Sequence, residues 1–380
     1  MIEPKLRFKA DDGSQFPDWE EKVFGDFVDT HLGKTSDKDT YPLYSLTIES
    51  GVQPKTDRYE REFLVKKEGD NYKIVPPNAF VYNPMNLRFG ALKVNHEKFS
   101  VSVSGYYDVF SLKDDGVLAF WENYLVTPKM LNYYFSIATG SLIEKLRVHY
   151  SQFVKIKKPL PSLPEQQKIA EFLSTIDTVI AKQKETVSAW EERKKGVMQK
   201  LFSQEVRFKA DDGSEFPEWE EKKLGEILAV HHGKDYKNLK KGNVPVYGTG
   251  GIITYVEDFL CDWACVCIGR KGTIDKPLYI DTPFWCVDTL FFTKAKDKHI
   301  PKFQFYLFQM IPWKKYNEAS GVPSLNASTI QNINVTIPCP EEQQKIADCL
   351  SSLDEVIENQ KATLAAWEEL KKGLLQQMFV

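Results

Sequence analysis

Two stretches of the chain place apolar residues at the steps of a coiled-coil seam. In the first, Ile169, Leu173, Ile176, Ile180, Gln183, Val187, Trp190, Lys194, Val197 and Leu201 follow one another by fours and threes. In the second, Ile346, Leu350, Leu353, Ile357, Gln360, Leu364, Trp367, Lys371, Leu374 and Met378 do the same. A seven-residue repeat of this kind predicts helices that bury one stripe against a partner helix. Each would run for about 40 residues, roughly 60 Å at 1.5 Å per residue. Gln183 and Gln360 fall at the same heptad of the two seams, where a buried polar residue fixes register. Prolines stand at both entrances, Pro159, Pro161 and Pro164 before the first helix and Pro338 and Pro340 before the second, where a helix tolerates them. No run approaches the roughly 18 to 20 apolar residues of a membrane span. The opening MIEPKLRFKADDGS lacks the apolar core of a signal peptide. A cytoplasmic protein with no membrane partner is expected.

The chain is one unit written twice. RFKADDGSQFPDWEEK (7–22) returns as RFKADDGSEFPEWEEK (207–222), 14 identities in 16 positions at an offset of 200. The seam helix EQQKIAEFLSTIDTVIAKQKETVSAWEERKKGVMQKLF (165–202) returns as EQQKIADCLSSLDEVIENQKATLAAWEELKKGLLQQMF (342–379) at an offset of 177, without a gap. Each half is therefore a short opening element, a large middle and a closing helix, and the middles have diverged. Repeats are the first thing to read in a sequence because they set the architecture. Here they predict a shared frame carrying two different heads, with segments 1–162, 163–203, 204–338 and 339–380. Seams matched in length and phase favour pairing of the two helices within the chain. The alternatives are two unrelated surface helices or a coiled coil between chains.

Composition changes this picture little. With 42% hydrophobic residues the 380-residue chain can bury proper cores. Its net charge of −3 carries no basic footprint for nucleic acid. The acidic excess sits in 339–380, and the two large segments are balanced. All six cysteines (Cys261, Cys265, Cys267, Cys286, Cys339 and Cys349) lie in the second half, which argues against a disulfide scaffold. Cys265 and Cys267 alternate as neighbours on one strand face do, and no histidine stands at finger spacing, so buried thiols are expected rather than a metal site.

Catalytic readings fail on spacing. YNPM (82–85) has only part of the asparagine–proline loop of adenine methyltransferases, and no glycine-rich loop for S-adenosylmethionine accompanies it. GTGG and GRKGT lack the spacing of an ATP-binding phosphate loop. PDWEEK (17–22) compresses nuclease-like carboxylates too closely to surround Mg²⁺; they are expected on an exposed turn, with Trp19 and Trp219 as anchors. His31, His231 and His232 have no nucleophile beside them, so a structural or DNA-contacting role is expected.

The paired helices with their proline-then-EQQKIA entrances resemble the specificity subunit of Type I restriction–modification systems. The second middle carries VPVYGTGGIITYV (244–256), IGRKGTI (268–274), FWCVDTLFF (284–292) and GVPSLNASTI (321–330). The first carries YSLTIESGVQPK (44–55) and VYNPMNLRFGAL (81–92). All are similar to strings of that family's target-recognition domains, and the resemblance covers essentially the whole chain. It implies a mixed α/β (α+β) fold with two globular recognition domains joined by two long antiparallel coiled-coil helices. It implies that each domain reads half of a bipartite target in double-stranded DNA, and that the helices set the spacer and dock two methyltransferase (modification) subunits. Restriction (translocase/nuclease) subunits would join through the complex. The chain itself would be non-catalytic and hold no cofactor; S-adenosylmethionine, ATP and Mg²⁺ would belong to the partners. The competing readings are a coiled-coil scaffold without sequence readout and a self-sufficient DNA methyltransferase or nuclease.

Residue chemistry then selects candidate contacts. Lysines, hydroxyls and free backbone N–H groups position a phosphate backbone, whereas Arg pairs with guanine and Asn with adenine. In the first domain these are Lys34, Lys55, Arg58, Arg61, Asn83, Asn86 and Arg88. In the second, the loop 234–251 offers Lys234, Lys237, Lys240 and Lys241 beside a glycine turn formed by Tyr247, Gly248, Thr249 and Gly250. A second turn offers Arg270, Lys271 and Thr273, and Asn326 follows later. Arg88, Asn86 and Arg270 are the candidate base readers; Asn83 and Asn86 could instead cap turns around Pro84. Balanced middles predict weak DNA binding by the chain alone.

Overall fold

The computed structural model describes residues 4–48, 51–55, 72–113 and 117–379. It divides into two compact units, Met1–Lys184 with Thr363–Val380, and Glu185–Ala362. Each unit holds one globular head and part of both long helices, which run Leu163–Phe202 and Pro340–Met378. No helix among the described residues is long and apolar enough to cross a membrane.

The first head is built on a four-stranded antiparallel sheet in the order Val28–Thr30, Asp108–Leu112, Phe80–Tyr82, Leu92–Val94. Alternation along a strand sends neighbours to opposite faces. Phe80, Tyr82 and Phe110 enter a core with Phe120, Trp121 and Tyr124 of the helix Leu118–Tyr124. Val81 and Val109 face a smaller cluster with Tyr44, Val75, Val101 and Val103. Burying each such aromatic contributes about 1.5–3 kcal/mol, so the sheet is fixed in register by its two cores.

The second head repeats the plan with Leu228–His232, Leu290–Ala295, Cys265–Gly269 and Leu278–Ile280 in the corresponding order. Val266 and Ile268 enter a core with Phe303, Tyr306 and Trp313, while Cys265 and Cys267 face Phe284, Cys286 and Phe292. All six cysteines are free thiols. Burial pushes the Cys286 thiol up to about 12, so it stays protonated and behaves as a small hydrophobe. Among the described residues no group of His, Cys, Asp or Glu is placed to hold a metal ion.

The repeated opening element fastens each head to the entrance of the helix that follows it. Glu20–Val23 pairs with Lys157–Leu160, and Glu220–Lys223 with Asn334–Ile337. The PDWEEK carboxylates thus lie mostly on exposed strands rather than on a turn. Arg7 reaches Glu165 at 2.8 and 2.9 Å, and Trp19 Nε1 donates to the same carboxylate at 3.1 Å. Arg207 and Trp219 grip Glu342 in the same way, at 2.9, 3.2 and 3.1 Å. Both carboxylates are fully buried.

Each head is also closed by the end of a helix from the other half of the sequence. Met378 and Phe379 complete the first core, and Phe379 lies 5.7 Å from Phe120 and 5.3 Å from Tyr124. Met198 and Leu201 enter the second core, with Phe202 stacked 5.6 Å from Phe303.

Candidate nucleic-acid interface

Within each unit the long helices pack antiparallel. In the first, Ile169, Leu173, Ile176 and Ile180 are buried, and Gln183, Leu364, Trp367 and Leu374 are half-buried. Lys371 pairs with Asp177 at 2.6 Å and Lys184 with Glu368 at 2.9 Å. In the second, Val187, Ile346, Leu350 and Ile357 are buried, and Trp190, Leu353 and Gln360 are half-buried. Lys194 pairs with Asp354 at 2.5 Å and Lys361 with Glu191 at 2.9 Å. Adding the repeat offset of 177 to Lys194 gives Lys371, and to Asp177 gives Asp354. Equivalent residues therefore exchange roles between the units, as an internal two-fold repeat requires.

In the second head the four singled-out strings meet. The connection after Cys265–Gly269 begins with Arg270 and Lys271. It closes because Gly269 has no Cβ: one added there would stand 1.9 Å from the Thr273 carbonyl oxygen. Arg270 N donates to Thr289 O (2.7 Å), and Leu325 N donates to Arg270 O (2.9 Å). Gly272 N donates to Pro323 O (2.8 Å), and Lys271 bridges Ser324. The hairpin tip Thr249–Gly250 arrives on the other side, with Thr249 Oγ1 3.7 Å from the Cβ position of Gly272. The Arg270 guanidinium makes one long bond, from Nη1 to Asp288 O at 3.3 Å. Lys271 is exposed, while Arg270 and Thr273 are half-buried.

Other expectations for this head need correction. The segment 234–251 is not one loop, because Lys241–Gly248 is a strand paired with Gly251–Val256. Lys240 and Lys241 stand at its far end from Thr249–Gly250, about 20 Å away at the rise of a strand, rather than beside the glycine turn. The space a Gly248 side chain would take is filled by Ile253, whose Cδ1 lies 2.6 Å from that Cβ position, so packing and not phosphate approach explains the glycine. Tyr247 sets its ring edge-on to Phe284 at 5.9 Å. Asn326 caps the turn Ala327–Gln331 through Oδ1, accepting from Ser328 N at 3.2 Å. Lys234 and Lys237 are exposed, and the Lys237 N–H is taken by Asp235 at 3.2 Å.

The first head places its counterpart turn after Phe80–Tyr82, the strand in the same position of the sheet. Val148 N donates to Pro84 O at 3.0 Å, matching the Leu325–Arg270 bond. Asn83 Oδ1 accepts from Met85 N at 3.0 Å, so this residue caps the turn. Asn86 is exposed, and its side chain makes no cap bond. Arg88 is engaged within the head: Nη2 donates to Ile143 O at 2.7 Å, and the guanidinium lies 4.7 Å from the Phe89 ring and 5.8 Å from Phe135. Its Nε and Nη1 are buried without a hydrogen-bond partner. Lys34, on a strand, and Lys55, just past the strand Gly51–Pro54, are exposed; Arg58 and Arg61 lie outside the described residues.

The histidines make local contacts. His31 Nε2 meets Ser111 Oγ at 2.7 Å, and His231 stacks on Phe292 at 5.1 Å. Burial, then the charges of Lys294 and His232, hold His231 below its usual range. The sequence reading missed Glu165 and Glu342, although both open the repeated EQQKIA string. It also missed the exposed side chains around the first head's turn: Phe89, Phe135 and Ile143.

Comparison with known proteins adds the family. The model of the Type I restriction modification DNA specificity domain matches residues 17–188 and again 217–368, most of the chain. The chain is 28% identical over 260 residues to the Type I restriction enzyme MjaVIII specificity subunit of Methanocaldococcus jannaschii, covering 59% of this chain and 61% of that one. A putative MjaX specificity subunit of the same organism is 24% identical over 257 residues, 61% and 60% of the two chains. The chain thus spans about three fifths of the length of these relatives. Among solved structures, the S subunit of a Type I restriction–modification system from M. genitalium superposes with a TM-score of 0.61 at 17% identity, over 100% of this chain and 99% of that one. A chain from a type I system described for its complex assembly and conformational transition gives 0.56 at 15% identity, over 96% and 98%. These two likenesses speak for the fold.

Proposed function

The chain belongs to the Type I restriction modification DNA specificity family, and from that premise we propose that it reads a two-part target in double-stranded DNA and docks the subunits that modify and cut it. The observation that carries this reading is the pair of equivalent turns. Asn83–Ala91 and Arg270–Pro277 leave the corresponding strand of each head's sheet and are braced by equivalent backbone bonds, yet differ in every candidate reader. One frame holding two unlike reading turns is what a bipartite, non-palindromic target requires, since phosphate contacts position and base contacts specify.

In this reading Arg270, Lys271 and Thr249 serve one half-site, and Asn86 with its neighbours the other. Lys34, Lys55, Lys234 and Lys237 supply phosphate contacts. The repeated helices dock two modification subunits, which bring S-adenosylmethionine; restriction subunits bring ATP and Mg²⁺. The chain carries no active site of its own and works in the cytoplasm, where its substrate is.

The test is a map of methylated adenines in cells carrying the modification subunit, with and without this chain. A split motif with a fixed gap that needs the chain supports the reading. Unchanged methylation favours a scaffold without readout, and methylation by the isolated chain would make it an enzyme. Deleting residues 204–338 should leave only one half-site readable.

A further inference from the structure

Each head pushes an aliphatic side chain into solvent on a loop that hydrogen bonds hold stiff. Ile143 is 75% exposed and Val322 66%. Around Ile143 the loop is closed by Thr139 and Arg147, which exchange backbone bonds of 2.9 and 3.0 Å. Around Val322 it is closed by Glu318 N to Ser324 O (3.0 Å), with Asn317 Oδ1 accepting from Ala319 N and Ser324 N at 3.1 and 2.9 Å. Both loops are tied to the reading turn of their own head, the first through Arg88 to Ile143 O and Val148 to Pro84, the second through Gly272 to Pro323 and Leu325 to Arg270.

A single exposed aliphatic residue is ordinary on a protein surface. These two share more than exposure. They occupy the same loop of two heads whose sequences there are unlike, SLIEKL against SGVPSL, and both stand on a rigid base. Charges of both signs stand around each tip: exposed Glu144 and Lys145 with the Arg147 guanidinium over Tyr106 at 5.9 Å in the first head, and exposed Glu318 and Lys271 in the second. What points each tip at DNA is its bonding to the reading turn, which sets it beside whatever duplex that turn contacts. On duplex DNA the apolar group in the groove where Arg and Asn read base edges is the thymine 5-methyl.

We infer that Ile143 and Val322 each press against the 5-methyl group of one thymine, beside the base read by the adjoining turn. The inference rests on the DNA-reading function proposed above and names two specificity residues for it. Deoxyuridine tests it, because it removes that methyl and leaves pairing intact. The full chain, assembled with its modification subunits, is titrated with duplexes in which the thymines of each half-site are replaced one at a time. Replacement at one position per half-site is expected to weaken binding about fourfold, the worth of burying one methyl. Ile143→Ser should abolish that sensitivity in one half-site only, and Val322→Ser in the other, with thermal melting unchanged because both tips are exposed. Indifference to uracil at every position, as for a tip wedged between base pairs, overturns the inference, and so does equal sensitivity in the serine variants. If the assembly shows no sequence preference on thymine-containing DNA, the specificity reading itself fails.

Discussion

In the first head the turn after Phe80–Tyr82 folds its arginine back: Arg88 binds the Ile143 carbonyl and lies between two phenylalanine rings. In the second head the turn after Cys265–Gly269 is braced through the backbone at Arg270 O and Gly272 N, and Lys314 pairs with its Asp275 at 2.9 Å. Among the described residues the Arg270 guanidinium keeps one bond, at 3.3 Å. The same strand position thus offers a braced loop with an exposed asparagine in one head and a lightly tethered arginine in the other. The sheet decides where a reading turn stands, and the turn's own sequence decides which side chain is left over to read. Beneath these turns the two heads share the order of their four-stranded sheet and the Arg–Trp–Glu clasp, which lets one be used as the control for the other.

The largest effects should come where the copies differ in burial. Phe379 is 1% exposed between Phe120 and Tyr124, whereas Phe202 is half-buried against Phe303. Phe379→Ala should cost the first unit about 4 kcal/mol, in the range for a fully buried phenylalanine. Phe202→Ala should cost the second unit about half as much. Hydrogen exchange read separately over each head of the full chain measures both, and equal losses would remove the asymmetry. The clasps should behave alike instead. Glu165→Ala and Glu342→Ala each strand a partly buried arginine and an indole N–H, and should each destabilise their own unit by about 3 kcal/mol. A loss confined to one of them would show that the two clasps are not equivalent.

The helices and the doubled plan were legible because periodicity and repetition are written in sequence order. Ile169 to Ile180 are buried along the stripe that their spacing marks, as are Ile346, Leu350 and Ile357, with Leu353 half-buried. The reading site was legible only as strings. Lys240 and Lys241 are near Gly250 in sequence, yet an extended strand separates them, since a strand carries its ends apart where a loop could fold them together. Arg88 looked like a reader because nothing in its sequence reveals Ile143, 55 positions later. Glu165 looked like one more charge of a helix entrance because its partner lies 158 residues earlier.

Smaller effects separate reading from bracing. Arg270→Ala should relax sequence preference at one base pair by about 1–3 kcal/mol, the worth of a bidentate pair, and leave melting almost unchanged. Arg88→Ala should instead lower the melting temperature through loss of a charge-assisted bond, about 1.5–3 kcal/mol, and disturb its half-site only through the loosened loop. Methylation maps and melts of the two variants decide this. If Arg88→Ala removed preference at one base pair without loss of stability, the guanidinium would have to leave Ile143 on DNA.

The smallest effect concerns pH, and its sign should differ between the heads. In the first, the Glu122 carboxylate, 2.9 Å from His96, raises that imidazole above its usual range. A histidine raised on folding contributes stability that is complete below its unfolded value near 6.5 and is lost as pH rises through the folded one. In the second head, burial lowers both His231 and His299. A histidine lowered on folding contributes stability that is complete above the unfolded value and declines as pH falls below it. Between about pH 7.5 and 5.5, acidification should therefore tighten the first head slightly and loosen the second. His96 is largely exposed, so solvent screens its share, and the loosening of the second head should be the larger change. Hydrogen exchange of the full chain at the two pH values, corrected for intrinsic rates, reads each head separately. Combining it with His96→Gln, His231→Gln and His299→Gln assigns the change: the first should abolish the tightening and the other two should each reduce the loosening. Parallel loosening of both heads would mean that carboxylates, not these histidines, govern the acid side of stability.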